Sequence, residues 1–464
     1  MKPRFLFIAV YIIFAGYANQ LHGQIPEKIS LLQALDLAEK NYPSVKAKQA
    51  LKDASGFHLK AVKDEYLPDI FLQDQDLYAS ANSIVGTYFS NEGTAIPISG
   101  TLKSYSYQGI WSSFATLMVN WKIFNFGKVR ADIALAQNEV KLNQYDYENE
   151  VFQLKIRVAD SYLFLIALEQ LEKVQEKNLV RAESFFKMTN AYSRSGIQAG
   201  VDSSVARAEF SKASLLLNQS RTNVAAQKLH LMSLMGISST FVTDTSVFLS
   251  RIPPSAKTDS SQLNNSTLLK LYGTNADVYD SRARIVKLSY LPSLHLLAAG
   301  WARGSGVESI NNAYVLNSSL SQGIPFGVYN YMIGLSFVWN FGITPRIHAE
   351  YQSQSLLAKA AHYNFDRVYI GSLEELNQAN LEFDNALIEV RESPIQFRAA
   401  KDAYDQSKSR YNSGLSNFYE ISQALYILNR AEADFLASYN NLWRALLKQA
   451  AATGDLNIFI NNIK

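Results

Sequence analysis

The chain has 464 residues, of which 12% are aromatic and 18% charged, with a net charge of +3 and no cysteine. Such a length serves two or three ordinary domains or one elongated one. Lys and Arg are interspersed with Asp and Glu throughout, which excludes a polybasic nucleic-acid footprint. The missing cysteines exclude both disulfide staples and a lipid-modified N-terminal Cys.

The first residues read as an export signal. Lys2 and Arg4 form a positive start, and Phe5 to Ala15 an apolar run, so residues 1–23 form a signal peptide with cleavage after Ala18 or Gly23. The run falls short of the roughly 18–20 residues a spanning helix needs. No later segment is apolar for that length, so the exported chain is either soluble or a barrel former.

Two repeats follow. Tyr66-Leu67-Pro68 recurs as Tyr290-Leu291-Pro292, and Asn125-Phe126-Gly127 as Asn340-Phe341-Gly342. At one constant offset Gly196 matches Gly414, Asp202 matches Glu420, Ala206 matches Ala424 and Gly236 matches Gly454. Each repeat thus runs helix, strand pair, two helices. The first spans 24–236, with a leading helix from Ser30 to Glu65, strands at about 69–81 and 108–124, and long helices at about 127–195 and 202–235. Residues 237–273, rich in Ser, Thr, Asn and Pro, predict a linker with little regular structure. The second repeat spans 274–464, with strands at about 293–303 and 329–341 and helices at about 342–412 and 418–453. Gly273 predicts a shortened or interrupted leading helix in this repeat, and Gly371 and Pro394 predict kinks or a break in its descending helix.

The segment between Gly127 and Gly196 contains neither Gly nor Pro. Tyr147, Val151, Leu154, Val158, Tyr162, Leu165 and Leu168 step along it by three and four, as one helix face requires. About 68 residues of helix extend roughly 100 Å, far beyond the globular average of about 10–14 residues. The returning helix carries Ile421, Leu425, Leu428, Ala431, Phe435, Leu442 and Leu446 on one face. Asp202 or Ser203 predicts a cap for its first-half counterpart. Helices alone fit a coiled-coil structural or adhesion protein with a β-rich head as well as a channel.

The strands separate the two readings. Tyr331, Ile333, Leu335, Phe337 and Trp339 alternate with the residues between them, as do Ala115, Leu117, Val119 and Trp121. Runs of about ten alternating residues match transmembrane strands. Trp111, Trp121, Trp301 and Trp339 predict interface aromatics. Polar loops, Asn82 to Tyr107 and Arg303 to Gly327, join each strand pair. Four strands leave open edges, which lipid does not tolerate, so closure requires further copies of the chain.

These features resemble the TolC family of outer-membrane factors. The resemblance rests on Leu31, Ala34, Leu35, Ala38, Asn41 and Pro43, the two Tyr-Leu-Pro boundaries, the Phe-Gly turns and the Gly-containing helical turns. It implies a mainly α fold with a transmembrane β-barrel: a homotrimer with a twelve-stranded barrel in the outer membrane of a Gram-negative bacterium and a long helical barrel in the periplasm. It implies a periplasmic adaptor (membrane fusion protein) and an inner-membrane RND or ABC-type exporter as partners, for efflux or type I secretion. The tip turns Ser195, Gly196, Ser413, Gly414 and Leu415 would dock the adaptor. Glu420, six positions after the second Gly, would ring the pore constriction; a second acidic ring is absent because Gln423 stands there. Asp202 and Tyr411 would form a gating latch, and Ser416 occupies the position of a latch Arg.

Nothing points to catalysis or to a cofactor. The six His show no metal-ligand spacing, and no nucleophile elbow, Walker loop or dinucleotide fingerprint occurs. Cargo is not legible in the sequence.

Overall fold

A computed structural model describes residues 28–82, 84, 107–196, 200–245, 247–248, 251–254, 258–311, 313–341 and 344–463. The signal segment, most of the loop from Asn82 to Tyr107, and Gly342 lie outside the described residues. In chain order the elements are β1 (Lys28–Ile29), α1 (Leu31–Asn41), α2 (Pro43–Asp64), β2 (Asp69–Ser80), β3 (Gly109–Phe124), α3 (Lys128–Arg194) and α4 (Gly200–Met235). There follow β4 (Val242–Thr243), a 3-10 turn (Ser260–Asn265), α5 (Thr267–Leu288), β5 (Ser293–Ser305), β6 (Val307–Ile310), β7 (Ala313–Leu316), α6 (Leu320–Gly323), β8 (Val328–Val338), α7 (Thr344–Asn412), α8 (Phe418–Thr453) and α9 (Asn457–Ile460).

The leading helix predicted from Ser30 to Glu65 is two helices. Ser30 opens α1 with a capping box, its side chain and that of Gln33 each taking the other's backbone N–H. Pro43 then supplies no amide to continue the helix and forces Tyr42 into an extended conformation, so α1 ends and α2 starts with proline in its first position. The chain divides into two compact units, each drawing on both repeats. Of the described residues, the first holds those within 28–50, 145–270 and 367–463; the second holds those within 51–144 and 271–366.

In the first unit, segments of α3, α4, α7 and α8 pack around Leu154, Val158, Tyr162, Leu231, Phe383, Val390, Trp443 and Leu446, all buried. Each such side chain contributes about 1.5–3 kcal/mol by leaving water. Trp443 sits edge-on to Phe248 (5.1 Å) and Phe459 (6.0 Å). The linker predicted at 237–273 is partly ordered: β4 pairs in parallel with β1, and α5 begins inside it at Thr267. The Tyr162 hydroxyl clasps both strands, donating to the Ile29 carbonyl and accepting from the Asp244 amide, each at 2.8 Å. Burial pushes its phenol well above the ordinary tyrosine range. The break predicted in the second descending helix does not occur. Helix α7 runs unbroken through Gly371 and Pro394, because its buried face outweighs the roughly 3 kcal/mol an interior proline costs. At that level Ser393 bonds Ser438 (2.7 Å) and Phe397 stacks on Phe435.

The second unit is built on a four-stranded antiparallel sheet in the order β2-β3-β5-β8. Among the described residues β2 and β8 have one paired edge each. Helix α5 passes through Gly273 without interruption, and that glycine lies against the Phe365 ring. The segment predicted as a polar loop from Arg303 to Gly327 contains the β6–β7 hairpin and α6. Ser113 donates to the Ile324 carbonyl at 2.7 Å, seating the end of this segment on β3.

A two-faced sheet and a helical tip as the candidate functional site

Strand register sorts the sheet into an apolar and a polar face. Ile70, Leu72, Leu117, Val119, Trp121, Leu296, Ala298, Tyr331, Ile333, Leu335 and Phe337 share one face by pairing. Many are exposed: Leu72 at 82%, Tyr331 at 87% and Ile333 at 78%. The other face carries Gln73, Gln75, Thr116, Asn120, His295, Arg303, Asn330 and Ser336. A sheet with an uncovered apolar face and a polar reverse fits the wall of a barrel whose outside meets lipid.

The predicted interface tryptophans do not share a face. Trp111 and Trp121 lie on the apolar side, and Trp339 follows β8 with the parity of Phe337. Trp301 instead pairs with Thr116 and Asn330 on the polar face; period two places it there, since Leu296, Ala298 and Gly300 occupy the other side. Trp121 donates its indole N–H to the Tyr66 carbonyl (2.8 Å) and Trp339 to that of Tyr290 (3.0 Å). Both helix-to-strand junctions are therefore tied in the same way in each repeat. No helix among the described residues is long and apolar enough to cross a membrane.

The tip of the first unit gathers the ends of α3 and α7 and the starts of α4 and α8. Gly196 and Gly414 both adopt φ near +69°, the left-handed turn that glycine takes without penalty. The Ser195 and Ser413 hydroxyls reach back to the carbonyls of Ala191 (2.9 Å) and Ser409 (3.0 Å). Past the second turn, the Asn417 side chain accepts from the Glu420 amide at 3.0 Å and caps α8. Helix α4 starts at Gly200, two residues before the predicted cap, so Asp202 is a first-turn acid, favoured there by the helix dipole.

Tyr411 is 2% exposed, packed edge-on to Phe418 and clustered with Ala206, one turn beyond Asp202. Leu415 stands 70% exposed at the turn, and Gln423 is exposed on α8. Glu420 meets a residue the sequence reading did not single out: its carboxylate lies 3.6 Å from the Arg410 guanidinium, which also donates to the Leu415 carbonyl at 3.3 Å. Arg410 precedes the glycine, whereas the family pattern places an arginine after it, at Ser416. Both partners are about half exposed, so the pair contributes well under about 1 kcal/mol.

A second cluster, two to three turns up α8, also escaped the sequence reading. Glu432 is buried and accepts from Lys177 and Arg181, each at 2.9 Å. Arg181 donates further to Asn429 (2.8 Å), and Asn429 bonds Asn178. Burial pushes the Glu432 carboxyl up, but the bonds from Lys177 and Arg181 outweigh it and hold the group below the usual carboxylate range. Among the described residues no group of acidic or His side chains could hold a metal ion.

Residues 34–237 match the family model described as outer membrane efflux protein. Among curated protein sequences none matches the chain. The fold is shared with the CmeC outer membrane channel of Campylobacter jejuni at 16% identity and a TM-score of 0.74, over 91% of this chain and 85% of that one. It is shared with the Vibrio cholerae outer membrane protein VceC at 14% identity and 0.74, over 92% and 96%. The open-state MtrE outer membrane channel of Neisseria gonorrhoeae gives 14% and 0.72, over 92% and 89%. The first repeat thus resembles the outer membrane efflux protein family, and the sheet and paired helical turns share the fold of solved outer-membrane channels.

Proposed function

We propose that three copies of this chain form a passive duct of a tripartite efflux or type I secretion system, carrying cargo from an inner-membrane RND or ABC-type exporter to the exterior. One observation carries the reading: among the described residues, a sheet whose apolar face is uncovered and whose edge strands β2 and β8 lack outer partners. Lipid exacts several kcal/mol for each unpaired backbone group, so the edges pair with identical edges of neighbours, and three chains give twelve strands.

Within that duct the tip is the gate. Threefold symmetry gathers three Glu420 carboxylates around the axis, where they attract cations, with the exposed Gln423 one turn above. Arg410 tethers each Glu420 in the resting state. Tyr411, held in the aromatic cluster, and Asp202 latch α7 against α4. The exposed Leu415, with Ser195, Gly196, Ser413 and Gly414, forms the surface for the periplasmic adaptor. The test is a planar bilayer under a salt gradient. Glu420→Ala shifts the reversal potential toward zero, and Tyr411→Phe with Asp202→Ala raises resting conductance. Unchanged reversal potential removes the carboxylate ring, and unchanged conductance removes the latch.

A further inference from the structure

The second unit contains a feature that the duct does not use. Two adjoining hollows lie between α5 and α7 and share Lys287 and Tyr351. The one beside the sheet, about 240 Å³, is lined by Tyr290, Thr344, Ile347 and His348 with the shared pair, and it is almost wholly apolar. The other, about 690 Å³, lies further from the strands and holds Arg284 and Lys359 in addition to Lys287. Lys287 rests over the Tyr351 ring at 6.0 Å and Lys359 over the Tyr363 ring at 5.7 Å. Among the described residues none of the three cations has an acidic partner within 4.0 Å; the nearby Asp280 is engaged by His362 at 3.0 Å. Asp366 at the far end is the remaining acid of the lining.

Polarity therefore changes along the groove in a fixed direction. Its apolar end includes Tyr290, whose carbonyl takes the indole N–H of Trp339 from the apolar side of the sheet. Its cationic stretch on α5 runs from Lys287 to Arg284, about 5 Å back along the helix, with Asp280 and Asp366 beyond it. An amphiphile in the periplasmic leaflet of an outer membrane has the matching polarity, with acyl chains toward the barrel and headgroup toward the periplasm. Basic pockets at a membrane boundary retain anionic lipid headgroups, and aromatic rings settle at headgroup level.

We infer that this groove is a binding site for one anionic phospholipid of the periplasmic leaflet. Its phosphate meets Lys287, Arg284 and Lys359, and the start of an acyl chain lies against Tyr290, Ile347 and Tyr351. The inference rests on the outer-membrane location and not on the export role.

Native mass spectrometry of the detergent-purified full-length oligomer tests it, with phosphatidylglycerol, phosphatidylethanolamine and glycerol 3-phosphate as probes. Phosphatidylglycerol should be retained saturably, at least about tenfold more tightly than phosphatidylethanolamine, and glycerol 3-phosphate at millimolar concentration should not displace it. Lys287→Gln with Lys359→Gln should weaken phosphatidylglycerol retention about tenfold or more, Lys287→Arg should preserve it, and Arg346→Gln, outside the groove, should leave it unchanged. These variants change exposed side chains, and an unaltered oligomer mass confirms assembly in the same spectrum. Equal retention of the two lipids, an unaffected double variant, or displacement by glycerol 3-phosphate would each overturn the inference. The first two would make the binding nonspecific, and the last would make the site one for free phosphate.

Discussion

Replacing Glu432 by Gln removes the one carboxylate that α8 presents to α3 inside the packed helices. The two donors it leaves behind are not equivalent. Lys177 is 62% exposed and turns to water at little cost, whereas Arg181 is 21% exposed and keeps Asn429 and the new amide oxygen as neutral acceptors. A hydrogen bond to a charged group contributes about 1.5–3 kcal/mol. Exchanging the charged acceptor of Arg181 for a neutral one and losing the Lys177 bond partly therefore costs about 1–2 kcal/mol, below the roughly 3–5 kcal/mol of a wholly buried broken pair. The loss is local, so the assay is native-state hydrogen exchange of the amides flanking positions 432 and 181. At about 1.4 kcal/mol per tenfold, opening should become about 5- to 30-fold more frequent there, with the amides around Leu154 and Trp443 unchanged. Exchange identical to wild type at both segments would refute the assignment of this cluster as a clamp between α3 and α8.

The same carboxyl sets a pH dependence. Its folded pKa lies below the unfolded value, so its stabilisation is present above the unfolded carboxylate pKa and is lost as pH falls through the folded one. Exchange protection at α8 should stay flat from pH 8 to about 5 and decline below that, and in Glu432→Gln the decline should disappear. Gly454→Ala meets both a φ of +74° and the Ser266 backbone at 2.7 Å; it should destabilise by about 1–2 kcal/mol or more, read as a lowered thermal transition. Ile333→Lys puts a charge on the apolar face of β8 and should cost about 2–4 kcal/mol if the position lies near the bilayer midplane, seen as reduced heat-labile oligomer on gels. Ser336→Lys, on the polar face, should assemble normally.

Much of the fold is legible because its periods are long. Sixty-seven residues without Gly or Pro write α3 unmistakably, and the left-handed glycines mark both tip turns. Strand positions follow from alternation, which is strongest where one face meets lipid. What escaped legibility depends on tertiary packing. Pro394 looks like a break until the face buried against α8 is seen, and Pro43 looks incidental until the backbone of Tyr42 turns extended. Trp301 falls on the polar face because counting parity from β3 is required to place it. At the site, Glu420 and Tyr411 came from the resemblance to the TolC family, with the repeat offset pairing Glu420 with Asp202, but Arg410 and Glu432 had no local signal. Arg410 is one basic residue in the last turn of a helix, and Glu432 sits on a helix among many acids; only its burial distinguishes it.

The central claim is that the open edges of one sheet are paired by identical neighbours. The chain has no cysteine, so engineered pairs report cleanly. Single cysteines are placed in turn at positions 71–77 of β2 and 330–336 of β8, both in the same chain, in outer membranes isolated from expressing cells. Mild oxidation should produce a register-dependent ladder of crosslinked species that stops at three chains. Crosslinks only within one chain, a ladder ending at two, or recovery of the protein as a water-soluble monomer would contradict the account.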